Sequence, residues 1–216
     1  QTFTFDFIAP EDDPVGTTYN VEFEIETATE SENLIVPVAL VSGPGIDESN
    51  LAPLASVFPE FSGIEITSLL SSTDILDTYT TKGGFQMGGS ADGAGMVVNP
   101  VTGNFELMVN LEDHYSVARI TLDQDLRPLK GDYMLNSGVA DLARQCSGTM
   151  WEAEIHGGAS DLFISSSESF NYQSRGINPF IEVPDPTANY NLPAFGEFSW
   201  ENNVPLPQDA YPGMTV

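Results

Sequence analysis

Short segments in which apolar and polar residues alternate run through most of the chain and limit its fold class. Thr2–Phe7 places Phe3, Phe5 and Phe7 on one side, and Tyr19–Thr27 separates its glutamates from its apolar residues in the same way. A period of two is typical of β-strands with one solvated face, which antiparallel sheets allow. No alternation of strands with long helices indicates a parallel sheet. The sequence therefore predicts an all-β protein.

The other predicted strands are short and are separated by turns. They are Leu34–Val41, Gly95–Asn99, Phe105–Asn110, Val117–Leu122, Gly131–Leu135, Met150–Ile155, Asp161–Ser166 and Phe195–Trp200. Strands of this length at such intervals are typical of sandwiches, barrels and propellers. One or two short helices are also expected. The first is capped by Asp47 or Ser49 and ends before Pro59, and the second covers Val139–Arg144.

The charge of the chain restricts its partners. It has 32 acidic and 6 basic residues, a net charge of −26, and a single cysteine. Such a field repels nucleic acids and anionic membranes, and no apolar run is long enough for a membrane span. One cysteine excludes an internal disulfide. Because the chain is strongly acidic and has few lysines and one cysteine, we expect a secreted or periplasmic protein. A start at Gln1 fits a chain whose signal peptide has been removed, and it fits equally a sequence that begins at an arbitrary point.

The residue types leave few kinds of chemistry open. His114 and His156 are the only histidines, and no Gly-x-Ser-x-Gly motif is present, which argues against a serine hydrolase and a classical zinc site. Carboxylates could bind calcium, as at Glu112-Asp113 or Asp123-x-Asp125, although such clusters are also common in hydrated turns. Cys146 fits either a buried apolar position or a transition-metal ligand.

Five segments in series resemble motifs of the secreted PhoX-type alkaline phosphatases. Ala91–Gly95 followed by Phe105–Glu112 resembles their Asp-Gly-x-Gly and Leu-x-Asn-His-Glu segments. The other matching segments are Val117–Leu126, Arg144–Gly148, Leu162–Ser169 and Leu192–Asn202. The resemblance begins near residue 70, so we expect an N-terminal β segment over residues 1–70 and part of a β-propeller over residues 71–216.

The resemblance implies a propeller whose central site holds iron and calcium and cleaves phosphate esters. By position, Cys146 corresponds to the iron-binding cysteine, and Glu112, Glu168 and Glu201 correspond to metal-binding glutamates. The expected activity is that of a metal-dependent phosphoric monoester hydrolase, or of a portion of one. Because relatives continue for several more blades, we also expect a protein partner or self-association that completes the propeller.

Three departures from the family pattern support a second hypothesis. Leu111 stands where the family has histidine, Ser167-Glu168 replaces a pair of glutamates, and Glu197 replaces an arginine. The first departure removes an imidazole ligand and the second removes a carboxylate ligand. The third replaces a positive charge, which would attract an anionic substrate, by a negative one. The alternative is therefore a non-catalytic extracellular structural or assembly protein on the same β scaffold, with calcium as the candidate stabilising ion.

Overall fold

The computed structural model describes residues 18–26, 31–39, 46, 48–61, 63–78 and 84–211. The chain forms two compact units, Gln1–Gly43 and Pro44–Val216. In the first unit, β1 (Thr18–Glu26) pairs antiparallel with β2 (Ser31–Ala39). Both strands were predicted within a few residues, whereas the predicted strand Thr2–Phe7 lies outside the described residues. The division near residue 70 rests on the extent of the resemblance and stays a prediction.

The second unit contains two four-stranded antiparallel sheets, each a meander of consecutive strands. The first sheet has the order β3-β4-β5-β6, with β3 at Ala91–Val98, β4 at Phe105–Leu111, β5 at Ser116–Leu122 and β6 at Pro128–Asn136. The second has the order β7-β8-β9-β10, with β7 at Gln145–Trp151, β8 at Leu162–Ser167, β9 at Arg175–Ile177 and β10 at Asn189–Asn191. The prediction of a mostly β chain is confirmed.

The described residues contain very little helix. One α-helical turn covers Ala153–His156, and single 3-10 turns cover Pro59–Phe61, Glu112–His114 and Pro193–Phe195. None of these helices is long and apolar enough to cross a membrane, in agreement with the sequence prediction.

Both predicted helices are wrong, for different reasons. In the first, Leu54 and Phe58 are exposed, so the apolar stripe has nothing to pack against, and Ser49 bonds to Asp74 instead of capping a helix. In the second, the Glu168 N–H donates to the Arg144 carbonyl, which holds the end of the predicted helix extended beside β8. Tertiary contacts outweigh local propensity at both places.

The second sheet also differs from the prediction. Trp151 ends β7 and a helical turn follows, so most of the predicted strand Met150–Ile155 is not a strand. The predicted strand Phe195–Trp200 is likewise irregular after its 3-10 turn. Residues 145–149 of β7 and the three-residue strands β9 and β10 were not predicted from the sequence.

Two apolar clusters cover the two faces of the first sheet. Met108 and Val117 point toward the second sheet and pack in one cluster with Phe163 and Ile177. Their neighbours in β4 and β5 point the other way, into a cluster formed with Leu76, Phe85 and other residues of the preceding loops. The first sheet is therefore buried on both faces, and the second sheet supplies one of its covers.

The first strands of the two sheets touch through glycine. A Cβ on Gly93 in β3 would overlap the Cys146 carbonyl oxygen and the Gly148 nitrogen in β7. A Cβ on Gly148 would lie 2.5 Å from the Gly93 carbonyl. Only residues without a side chain permit this approach of two backbones. The contact brings the start of β7 next to the start of β3.

Candidate metal centre

Strand ends bring together three side chains that could bind a metal ion. Asp92 lies at the start of β3, Glu112 directly follows β4, and Cys146 lies at the start of β7. One potential ligand atom from each lies within 4.8 Å of the others. Among the residues that the structure describes, no other three histidine, cysteine or acidic side chains converge in this way. Two carboxylates and one thiol therefore share one place at the ends of three strands.

The backbone beneath this cluster is fixed by a buried amide. Asn110 of β4 faces the second sheet and donates to the carbonyls of Cys146, at 3.1 Å, and Ser147, at 2.8 Å. Its own side-chain oxygen accepts from Ser165 of β8 at 2.7 Å. Since all of these groups are buried, their hydrogen bonds matter for the relative position of the strands. Asn110 thus ties the Glu112 end of β4 to the Cys146 end of β7.

The environment of Cys146 disfavours its charged form. Burial raises the pKa of the Cys146 thiol, and the neighbouring carboxylates of Asp92, Glu168 and Glu112 raise it further. The sulfur lies 3.7 Å from Glu112 Oε1. A bound cation would reverse this effect, because metal coordination favours the thiolate. Without one, the thiol is a weak nucleophile.

Arg144 is the cation that contacts this cluster. Its Nε lies 2.6 Å from Glu112 Oε1 and 2.7 Å from Glu168 Oε1, and its Nη2 also donates to Glu112. Hydrogen bonding to Glu112 raises the pKa of Arg144. Glu168, which follows β8, therefore meets Glu112 through the guanidinium and stands outside the three-residue cluster.

Glu201 is the fourth glutamate expected from the sequence. It is exposed, and it makes no hydrogen bond or ion pair to Glu112, Cys146 or Glu168 in the described part of the chain. The preceding residue, Trp200, donates its backbone N–H to the Ser167 carbonyl at 2.8 Å, so Glu201 follows a segment attached to the end of β8. The structure therefore brings together Glu112 and Cys146, links Glu168 to them through Arg144, and leaves Glu201 on the surface.

Two residues near the cluster were not singled out from the sequence. Asp92 lies in a glycine-rich segment that gave no sign of a site. Since Ala91 pairs with Leu111, predicting the hairpin of β3 and β4 would have placed Asp92 close to Glu112. Arg144 precedes Cys146 by two residues, the spacing that puts side chains on one side of an extended chain. Leu111, which stands where the resemblance has histidine, is fully buried in the apolar cluster with Leu76 and Phe85.

The donor set favours one kind of metal ion. A thiolate with two carboxylates suits iron and other transition metals. Calcium takes oxygen ligands only, so the thiol makes this cluster a better match to iron than to the calcium ion that the resemblance also implies. The aspartates of the Asp123-x-Asp125 turn are occupied by the Arg127 side chain.

Comparisons of the chain with protein-family models, with curated proteins and with solved structures found no match.

Proposed function

We propose that this protein is a secreted, PhoX-like, metal-dependent phosphoric-ester hydrolase, or a portion of one. The observation that carries the proposal is the convergence of Asp92, Glu112 and Cys146 within 4.8 Å at the ends of three strands. All three residues lie in segments that carry the resemblance, and Glu112 and Cys146 are the two to which it assigns metal binding. Export is supported by the net charge of −26 and the single cysteine.

The proposed centre binds iron, and Asp92, Glu112 and Cys146 hold it. A bound metal ion would neutralise phosphoryl oxygens and supply a nucleophile at neutral pH. Residues around the cluster hold these three ligands in position. Asn110 fixes the Cys146 backbone, and the contact of Gly93 with Gly148 sets the distance between β3 and β7.

The proposed architecture is a β-propeller-like array with the two meanders as successive blades. Each sheet consists of four consecutive antiparallel strands, and β3 and β7, the first strand of each, lie against one another. Side chains from both sheets share one apolar cluster, which is how adjacent blades pack. The candidate centre lies at the end of the sheets where these first strands begin.

A further β sheet, from a protein partner or a second copy of the chain, would cover the far face of the second sheet. Ile164 points away from the first sheet and lines an apolar pocket together with Trp151, Trp200 and Val204. Val204 is 78% exposed and the nearby Phe198 is 57% exposed. Apolar groups of this size next to an incompletely covered sheet are typical of an interaction surface. A partner or a second copy would complete the array here.

The hydrolase proposal is tested with p-nitrophenyl phosphate and iron analysis of the purified protein. Wild type is expected to retain iron and hydrolyse the ester. We expect the rate to fall by more than roughly 100-fold in each of three variants, Asp92→Asn, Glu112→Gln and Cys146→Ser. Removing a residue that only supports a metal ligand already costs up to about 100-fold, and removing a ligand should cost more. Asp209→Asn, an exposed aspartate, is the matched control. Wild-type rates in all three variants would contradict the proposal.

One observation favours the second function, a non-catalytic assembly protein. The Glu112 and Glu168 carboxylates both form ion pairs with Arg144, and these ion pairs need no metal. The assembly function predicts calcium-dependent association without ester hydrolysis, measured by sedimentation velocity with calcium and with chelator. Iron retained through Cys146 together with turnover would contradict it.

A further inference from the structure

Arg144 is held between two carboxylates by its main chain and its side chain. The Glu168 N–H donates to the Arg144 carbonyl at 3.0 Å, so the backbones of the two residues are joined. The guanidinium then returns to Glu168 and also reaches Glu112. Both carboxylate oxygens lie within hydrogen-bond distance of one nitrogen, Nε, and so lie close to each other. The arrangement places one fixed positive charge between the ends of β4 and β8.

The charges around this guanidinium are one-sided. Besides Glu112 and Glu168, the carboxylate of Asp113 stabilises the charge of the guanidinium, and Asp92 lies close to Glu112. Removing the guanidinium would leave two carboxylates facing each other among further negative charges. Such a pair either takes up a proton or binds a cation.

We propose that Arg144 takes the place of a second metal ion. Its guanidinium fills the position between Glu112 and Glu168 that a divalent cation would otherwise occupy, so the cluster holds a single ion at Asp92, Glu112 and Cys146. The single-ion part rests on the proposed function. The role of Arg144 does not, because it depends only on the two carboxylates and the charge between them.

The proposal predicts that Arg144→Gln creates a cation site. The full chain is stripped with EDTA and titrated with Mn²⁺ in about 0.15 M NaCl, a concentration that screens exposed charges. Free Mn²⁺ is counted by electron paramagnetic resonance. Arg144→Gln is expected to bind one more Mn²⁺ per chain than wild type, and adding Glu168→Gln to this variant should abolish the gain. Arg144→Lys, which keeps the charge, should bind as wild type does.

Arg127→Gln is the matched control. Arg127 also contacts two carboxylates, Asp123 and Asp125, but in the exposed turn between β5 and β6. This variant should bind the same number of Mn²⁺ ions as wild type. Equal Mn²⁺ binding by Arg144→Gln and wild type would overturn the proposal. A gain in Arg127→Gln as large as that in Arg144→Gln would overturn it too.

A second measurement covers the case in which Arg144→Gln folds poorly. Its thermal midpoint should rise in Mn²⁺ by several degrees more than that of wild type or Arg127→Gln, because the ion replaces the lost charge. An Arg144→Gln variant that stays unfolded in Mn²⁺ would count against the proposal. Absence of a thiolate-to-cobalt absorption band in wild type with Co²⁺ would instead contradict the metal centre of the proposed function. The comparison of Arg144→Gln with wild type would still decide the role of Arg144.

Discussion

The side-chain amide of Asn110 lies 3.1 Å from the carbonyl oxygen of Cys146 and joins two sheets that no backbone hydrogen bond connects. Asn110 is the last residue but one of β4, and Cys146 is the second residue of β7, the first strand of the other sheet. The same amide bonds to Ser147, so its two hydrogens fix two consecutive carbonyls of β7. The geometry of the candidate centre therefore depends on one buried side chain that binds no metal itself.

Asn110→Asp should destabilise the protein strongly. The change replaces a buried donor by a carboxylate that faces the carbonyls of Cys146 and Ser147. We expect the free energy of unfolding to fall by about 3 kcal/mol, because the new carboxylate is a buried charge with no donor to replace the lost amide hydrogens. Urea unfolding measures the change. Asn202→Asp, the same substitution at an exposed position, should alter the free energy by less than about 0.5 kcal/mol.

Gly93→Ala should be costly although it adds one methyl group. The new Cβ would overlap backbone atoms of Cys146 and Gly148, which cannot move as a flexible side chain can. The expected loss is about 3 kcal/mol in the free energy of unfolding, the upper range for overpacking. Gly89→Ala is the control, because its Cβ would meet no atom within 4 Å. If both variants unfolded at the same urea concentration, the close contact of β3 with β7 would be refuted.

Asp74 should make stability depend on pH. Burial alone would raise the pKa of Asp74, but hydrogen bonds from Ser49, Asn50 and Ser71 outweigh it and hold the pKa at about 2. In the unfolded chain, the pKa of an aspartate is about 4. Because the pKa of Asp74 is lower in the folded protein, the ionised carboxylate stabilises the fold at pH values above about 4. This contribution, about 2 kcal/mol, is lost as the pH falls from about 4 to about 2.

Urea unfolding of wild type and Asp74→Asn between pH 2 and pH 7 measures this contribution. The difference in unfolding free energy between the two proteins should be largest near neutral pH and shrink below pH 4. A difference that stays constant over this range would show that the Asp74 charge has no part in it. Asp209→Asn serves as the exposed control.

The single cysteine should react slowly in the folded protein. Cys146 is only 6% exposed, and burial with nearby carboxylates raises the pKa of its thiol, so little thiolate is present at pH 8. In metal-free protein, we expect labelling by a disulfide reagent at least about tenfold slower than in urea. Glu112→Gln should react faster than wild type because one negative charge is removed. Labelling of folded wild type at the urea rate would contradict the placement of Cys146.

The strands that sequence analysis found are those whose apolar residues alternate. β4 and β5 carry their apolar residues into two clusters, and the pattern is visible without a structure. β7 was missed in part because its start is polar and glycine-containing. It is buried through hydrogen bonds from Asn110 and through contact with Gly93, and neither leaves a hydrophobic pattern. β9 and β10 are too short for any periodicity.

The site could be predicted only in part for a related reason. The resemblance assigns metal binding to Cys146 and Glu112, so they were identified directly. It assigns no role to Asp92 or Arg144, which become important only when the strands pair and the two sheets pack together. Glu201 was expected at the same centre, but the segment that carries it bonds to the backbone of β8 and leaves its side chain exposed.

The burial of the first sheet on both faces also determines how the molecule opens. All seven residues of β5 are buried, and the strand is bonded to a neighbour on each side. Its amide hydrogens should therefore be among the slowest in this unit to exchange with deuterium, whereas those of the short strand β10 should exchange early. Asp92 and Glu112 flank the protected sheet, but Glu168 belongs to the less protected one. Cys146 lies in the less protected sheet as well, so partial unfolding of that sheet would release Cys146 and Glu168 and leave Asp92 and Glu112 in place.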